Sequence, residues 1–176
     1  MNELARWFHE HVPMSADFDM RLVIREKLEF WLKPDPRALE LYFDIGPGFT
    51  QCAAFMNEYR ADEAEALDAF QRIGAAAGFF AFEFAPDLDR EARDEAERRA
   101  IADFKAAMAE FPEEGLVCGE AQSQDRAYVE VMLWDSRVFL SRAAAWLERY
   151  PGIERALFRT WRRRAGNVIL KAPGEG

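Results

Sequence analysis

Seven residues, Gly78-Phe79-Phe80-Ala81-Phe82-Glu83-Phe84, limit what this chain can become more than any other stretch. An extended backbone sends alternate side chains to opposite sides, so Phe80, Phe82 and Phe84 share one face, the signature of a strand lying on a core. The flanks repeat at helical spacing instead. This predicts a helix, a buried strand and a second helix, with further strands and helices packed around them. The expected fold class is α+β: a mostly antiparallel sheet with helices packed on one face, as a single domain over residues 1–172 with 173–176 frayed.

A chain of 176 residues buries roughly 70% of the surface that its unfolded form exposes, enough for a core without metal or disulfide. No apolar run reaches the roughly 20 residues that span a bilayer, and the first residues lack a signal-peptide layout, so the expected location is the cytoplasm. Cys52 and Cys118 lie far apart in sequence, in apolar settings, and read as buried thiols.

Before the central strand, Leu4, Trp7, Phe8 and Val12 share a helical face that stops at Pro13. Alternation over Met20 to Leu32 and again over Leu39 to Ile45, joined by Lys33-Pro34-Asp35-Pro36, predicts a hairpin with one wet face. Gly46-Pro47-Gly48 predicts a turn and Phe49 to Met56 a third strand. Asp62, with Glu65 three residues on, predicts a capped helix reaching Ala77 and closed by Gly78, with Gly74 inside it for close packing.

After the strand, Asp87 is the expected cap of the longest helix, which runs to Pro112. The pairs Asp89 with Arg93, Asp94 with Arg98 and Glu95 with Arg99 stand at the spacing that supports a helix. Leu116 to Ala121 and Tyr128 to Trp134 form an expected hairpin. A helix on Phe139, Ala143, Trp146, Leu147 and Tyr150 follows, then a second from Pro151 on Ile153, Ala156, Leu157 and Trp161, then a short strand over 167–172.

Catalytic signatures are sparse. The glycines of 46–48 match no phosphate-binding spacing. The only histidines, His9 and His11, point to different sides of a helix, and Asp17 with Asp19 is too sparse for a calcium loop. No metal or cofactor is expected, and an enzyme is unsupported.

Charge carries the functional reading. The net charge is −9, with 13 Lys+Arg against 27 Asp+Glu over residues 1–125 and 10 against 5 over residues 126–176. An acidic body repels nucleic acid and anionic membrane and draws basic partners over distances that salt shortens. The leading expectation is a protein-binding domain of the inhibitor or immunity type, occluding the basic active site of a toxin or nuclease. Its contact residues are Asp44, Glu58, Asp62, Glu63, Glu65, Asp68, Glu113 and Glu114, with Trp31, Tyr42 and Tyr59 as aromatic anchors. The alternative is an enzyme or sensor holding a small phosphate-bearing ligand on a helical stripe of Arg155, Arg159, Arg162 and Arg163 beside Trp161. A homo-oligomer, acidic front against basic end, is a third possibility.

Overall fold

The computed structural model describes residues 27–32 and 40–173. The expected N-terminal helix with His9 and His11, residues 20–26 of the first strand and the turn at 33–36 lie outside them.

Among the described residues the chain forms seven strands and four helices. They are β1 (Leu28–Trp31), β2 (Pro47–Thr50), α1 (Ala53–Ala61), α2 (Glu65–Arg72), β3 (Ala76–Phe84), α3 (Arg90–Met108), β4 (Gly115–Gln122), β5 (Arg126–Leu133), α4 (Ser136–Glu148), β6 (Ile153–Thr160) and β7 (Val168–Lys171). The strands make one antiparallel sheet in the order β1-β2-β4-β5-β3-β6-β7. The α+β class and the antiparallel sheet expected from the sequence are both present.

Phe80, Phe82 and Phe84 of β3 do share one face. With Val129, Val131 and Leu133 of β5 and Ala156 and Phe158 of β6, they pack under the two long helices. There α3 contributes Ile101, Phe104 and Met108, and α4 contributes Phe139, Ala143 and Leu147. The other face is buried as well: Phe79 and Ala81, Tyr128 and Met132, and Leu157 pack against Phe55 and Tyr59 of α1, Leu67 and Phe70 of α2, and Leu41, Tyr42 and Ile45 of the preceding loop. The central strands thus lie between two apolar layers.

Burial on both faces explains the main departure from expectation. Residues 153–160, expected as a helix, are β6, paired along its length with β3. A strand covered on both sides loses its alternation, and Ile153, Leu157 and Trp161 then fit helical spacing equally well. The bulge opposite Glu83/Phe84 moves Ile153 onto the α3/α4 face, while Leu157 and Trp161 stay on the other.

The single helix expected over 62–77 is two helices and the start of β3. Asp62, the expected cap, ends α1 in a left-handed conformation with φ 61°. Helix α2 begins after Ala64, which has no capping side chain. Glu58 of α1 fills that role, its carboxylate accepting from the backbone N–H of Ala66 at 2.8 Å and of Leu67 at 3.4 Å. Gly74, at φ 84° with open space where a Cβ would stand, is the turn after α2 rather than a packing site within a helix. Gly78 lies inside β3, where a Cβ would run into the carbonyl of Arg159 and the ring of Phe158.

Smaller differences follow the same pattern. Strand β2 stops at Thr50, and Ala53–Ala61 is helical. Residues 40–44 are turn, not strand, with Leu41, Tyr42 and Ile45 buried as a plug. The cap of α3 is Asp89, which accepts from the N–H of Ala92 at 2.9 Å. Of the expected α3 pairs none forms: Arg98 reaches Glu95 at 2.9 Å, and Arg93 reaches across to Asp125 at 3.0 Å. The 116–134 hairpin, α4 and β7 lie where the sequence placed them.

Candidate functional site

Folding separates the expected contact residues into three groups. Tyr42 and Tyr59 are fully buried and anchor nothing outside. Their rings join Phe79, Tyr128 and Trp161 in one aromatic cluster, with the Tyr42 ring centre 4.9 Å from those of both Phe79, tilted, and Trp161, edge-to-face. Most of the carboxylates are engaged within the molecule: Asp62 with Arg164 at 2.5 Å, Asp68 with Arg162, Asp44 with Arg126 at 3.1 Å, and buried Glu114 with Arg142 at 2.7 Å, besides the capping Glu58. Glu63, Glu65 and Glu113 are exposed and have no ion pair among the described residues, as is Trp31, which is 84% exposed.

The basic stripe is dismantled for the same reason. In β6 and the turn after it, Arg155 reaches Glu83 at 3.4 Å, Arg163 pairs with Glu40 at 2.7 Å, and Arg159 donates to the carbonyl of Arg163. Trp161 is buried. Helical spacing does not apply to a strand and a turn, so these arginines form no stripe: Arg155 ties β6 to β3, and Arg162, Arg163 and Arg164 fasten the 160–165 turn to α2, the 40–44 loop and the end of α1.

One polar cluster is internal. Glu130, in the middle of β5, is completely buried and faces α1. Its carboxylate accepts from the hydroxyl of Thr50 at 2.5 Å and from that of Tyr42. Burial pushes its pKa up to about 7 despite those two donors. Gly119, opposite it on β4, leaves the room that the carboxyl fills. Tyr42 holds φ 69°, a costly conformation for a bulky residue, and it is kept there by several contacts. Its N–H donates to the hydroxyl of Tyr128 at 3.2 Å, and its carbonyl accepts from Arg60 at 3.3 Å. The hydroxyl of Tyr128 donates to Asp44 at 2.6 Å, and Asp44 accepts from Arg126. Cys52 and Cys118 lie in the same layer as free buried thiols, both with pKa raised by burial. This network ties the 40–46 plug to the sheet.

The open site is on the opposite face. Strands β1 and β2 extend the sheet beyond α3, and on that side no helix among the described residues covers them. Lys105 of α3 pairs with Glu120 at 2.6 Å and lies over the ring of Phe49, which fixes Phe49 and Glu120 on the α3 side. Alternation and the register Trp31↔Pro47 and Glu29↔Phe49 put Trp31, Glu29 and Pro47 there too.

Between this wing and the head of α3 is a cleft of about 550 Å³, lined by Gly46 and Pro47, Leu88, Arg90, Arg93 and Asp94, and Gln122, Ser123 and Gln124. A smaller hollow of about 120 Å³ continues it along α3 past Arg98, Ile101 and Lys105, with Gln122 common to both. Arg93 holds the cleft's shape. It donates to Asp125 and to the carbonyls of Gln124, Ala85 and Pro86 at 3.3–3.4 Å, joining helix, hairpin turn and the loop before α3.

One turn further along α3, Glu97 is 2% exposed, and its Oε1 is without a partner, as is the buried Nε of Arg93. Burial, with Asp94 and Asp125 nearby and Arg93 opposing, lifts the Glu97 pKa to about 8. Sequence reasoning missed both the cleft and Glu97. One signal was available: Glu97, four residues before Ile101, stands in the apolar seam of the helix.

No protein-family model, curated protein or solved structure matches this chain. No helix among the described residues is long and apolar enough to cross a membrane.

Proposed function

We propose that the chain is a protein-binding domain of the inhibitor type, docking through the uncovered face of the β1–β2 wing onto a basic partner. The observation that carries this is Trp31, 84% exposed on β1 and on the same face as Glu29, Pro47 and Phe49. A tryptophan left in water forgoes a large burial gain, and tryptophan is the residue type most often found at the energetic centre of protein interfaces. The outer edge of β1, unpaired among the described residues, adds backbone donors and acceptors for an incoming strand. Long-range attraction comes from the net charge of −9, to which the unpaired Glu63, Glu65 and Glu113 contribute. This reading moves the contact away from the acidic segment 58–68, where Glu58, Asp62 and Asp68 serve the fold, and keeps the acidity as a steering field. Occlusion of a cationic active site is the mechanism it implies.

A photo-crosslinking residue substituted for Trp31 tests the reading in extract of the native cell. The expected product is a covalent adduct with a basic protein. With that protein purified, Trp31→Ala should raise Kd about 30-fold or more, the equivalent of an interface hot spot, and the association rate should fall as salt rises. Crosslinks confined to the chain itself, or an affinity indifferent to Trp31→Ala, would refute it.

A further inference from the structure

We infer that the cleft at the head of α3 is a binding site for a small zwitterion of the α-amino acid class. It goes beyond the protein-binding reading and does not depend on it. The cleft lies within the range of small-molecule sites, roughly 300–1,000 Å³. Two of its lining residues carry opposite charges: the side chains of Arg90 and Asp94 make no ion pair or hydrogen bond with any described residue. They stand four residues apart on one helical face, where side chains are neighbours, with the cation on the N-terminal side. That order is the weaker one for a direct pair, because the helix dipole favours anions near its N-terminus. It is the right order for a ligand whose carboxylate meets Arg90 and the helix end while its ammonium meets Asp94.

The rest of the lining suits the remainder of such a molecule. Leu88 and Pro47 offer an apolar wall for a side chain, and the amides of Gln122 and Gln124 with the hydroxyl of Ser123 offer neutral donors and acceptors. Arg93 in the same wall is already held by Asp125 and three carbonyls, so the free charges at the cleft are those of Arg90 and Asp94. A lone anion would leave Asp94 facing it, and a lone cation would leave Arg90. Only a ligand bearing both signs satisfies the pair.

Nuclear magnetic resonance of the full chain tests this with glycine, L-leucine and L-glutamine as probes, and acetate and methylammonium as their half-molecules. The signals read are the side-chain amides of Gln122 and Gln124 and the Arg93 Nε–H. The expected result is saturable shifts with the three zwitterions and none with either half at the same concentration. Arg90→Ala and Asp94→Ala, both at exposed positions, should each weaken binding tenfold or more, and the double exchange Arg90→Asp/Asp94→Arg, which sets up the favourable direct pair, should not restore it. Equal shifts with acetate would make this an anion site and overturn the proposal. Silence with every probe would leave Arg90 and Asp94 to solvent alone and overturn it too.

Discussion

Replacing Glu130 with glutamine should remove a pH dependence of stability that the wild-type chain carries in its core. Folded Glu130 releases its proton near pH 7, against the ordinary 4.5 of a glutamate in an unfolded chain. Between those values the unfolded chain binds fewer protons than the folded one, so stability is complete at acid pH and is lost as pH rises. The whole difference is on the order of 3 kcal/mol, at about 1.4 kcal/mol per tenfold change in proton affinity. About 2–3 kcal/mol of it falls between pH 5 and pH 8, which for a domain of this size is roughly 5–10 °C in melting temperature. In Glu130→Gln the side chain keeps its volume, and the hydroxyls of Thr50 and Tyr42 rotate to suit an amide. Any fixed change in stability from that exchange is the same at all pH. The assay is therefore the gap between variant and wild-type melting temperatures across pH 5 to 8, in which every other titrating group cancels. The gap should move in the variant's favour as pH rises. A gap constant to within a degree would mean that Glu130 ionises normally inside the protein, and the account of this cluster would be wrong.

The same logic predicts that Glu97→Gln gains on wild type mainly between about pH 5 and pH 8, between the ordinary 4.5 of an unfolded glutamate and the folded value near 8; urea unfolding at several pH values reads it, and a parallel pair of curves counts against it. Gly78→Ala should cost about 1–3 kcal/mol or more, since its Cβ meets the Arg159 carbonyl and forces β3 from β6; an unchanged urea midpoint would contradict the close approach. Glu58→Ala should cost about 0.5–2 kcal/mol as α2 loses its borrowed cap, and Glu58→Gln should cost less; equal losses in both would show that the carboxylate does not cap.

The sequence was legible where one face of an element repeats locally. The phenylalanines of β3, the 116–134 hairpin and α4 each carry a single unambiguous period, and they fold as their patterns say. It was illegible where one run of residues fits two templates at once or where partners come from afar. Ile153 to Thr160 satisfies helix and strand templates together, and only pairing with β3 chooses between them. Asp62 with Glu65 reads as a local capping box, yet the cap that α2 uses is Glu58, from the helix before it.

What the sequence determined by itself was the class of fold, the central strand and the overall negative charge, because periodicity and composition are properties of the chain that need no partner. Which carboxylates face a partner, and which are spent on the molecule's own arginines, was decided only by the tertiary structure. Asp62 meets Arg164 and Asp68 meets Arg162 across about a hundred residues of sequence, and an ion pair depends on distance in space rather than along the chain. The cleft at the head of α3 exists for the same reason: its walls come from three separate stretches of chain, and no one of them contains it.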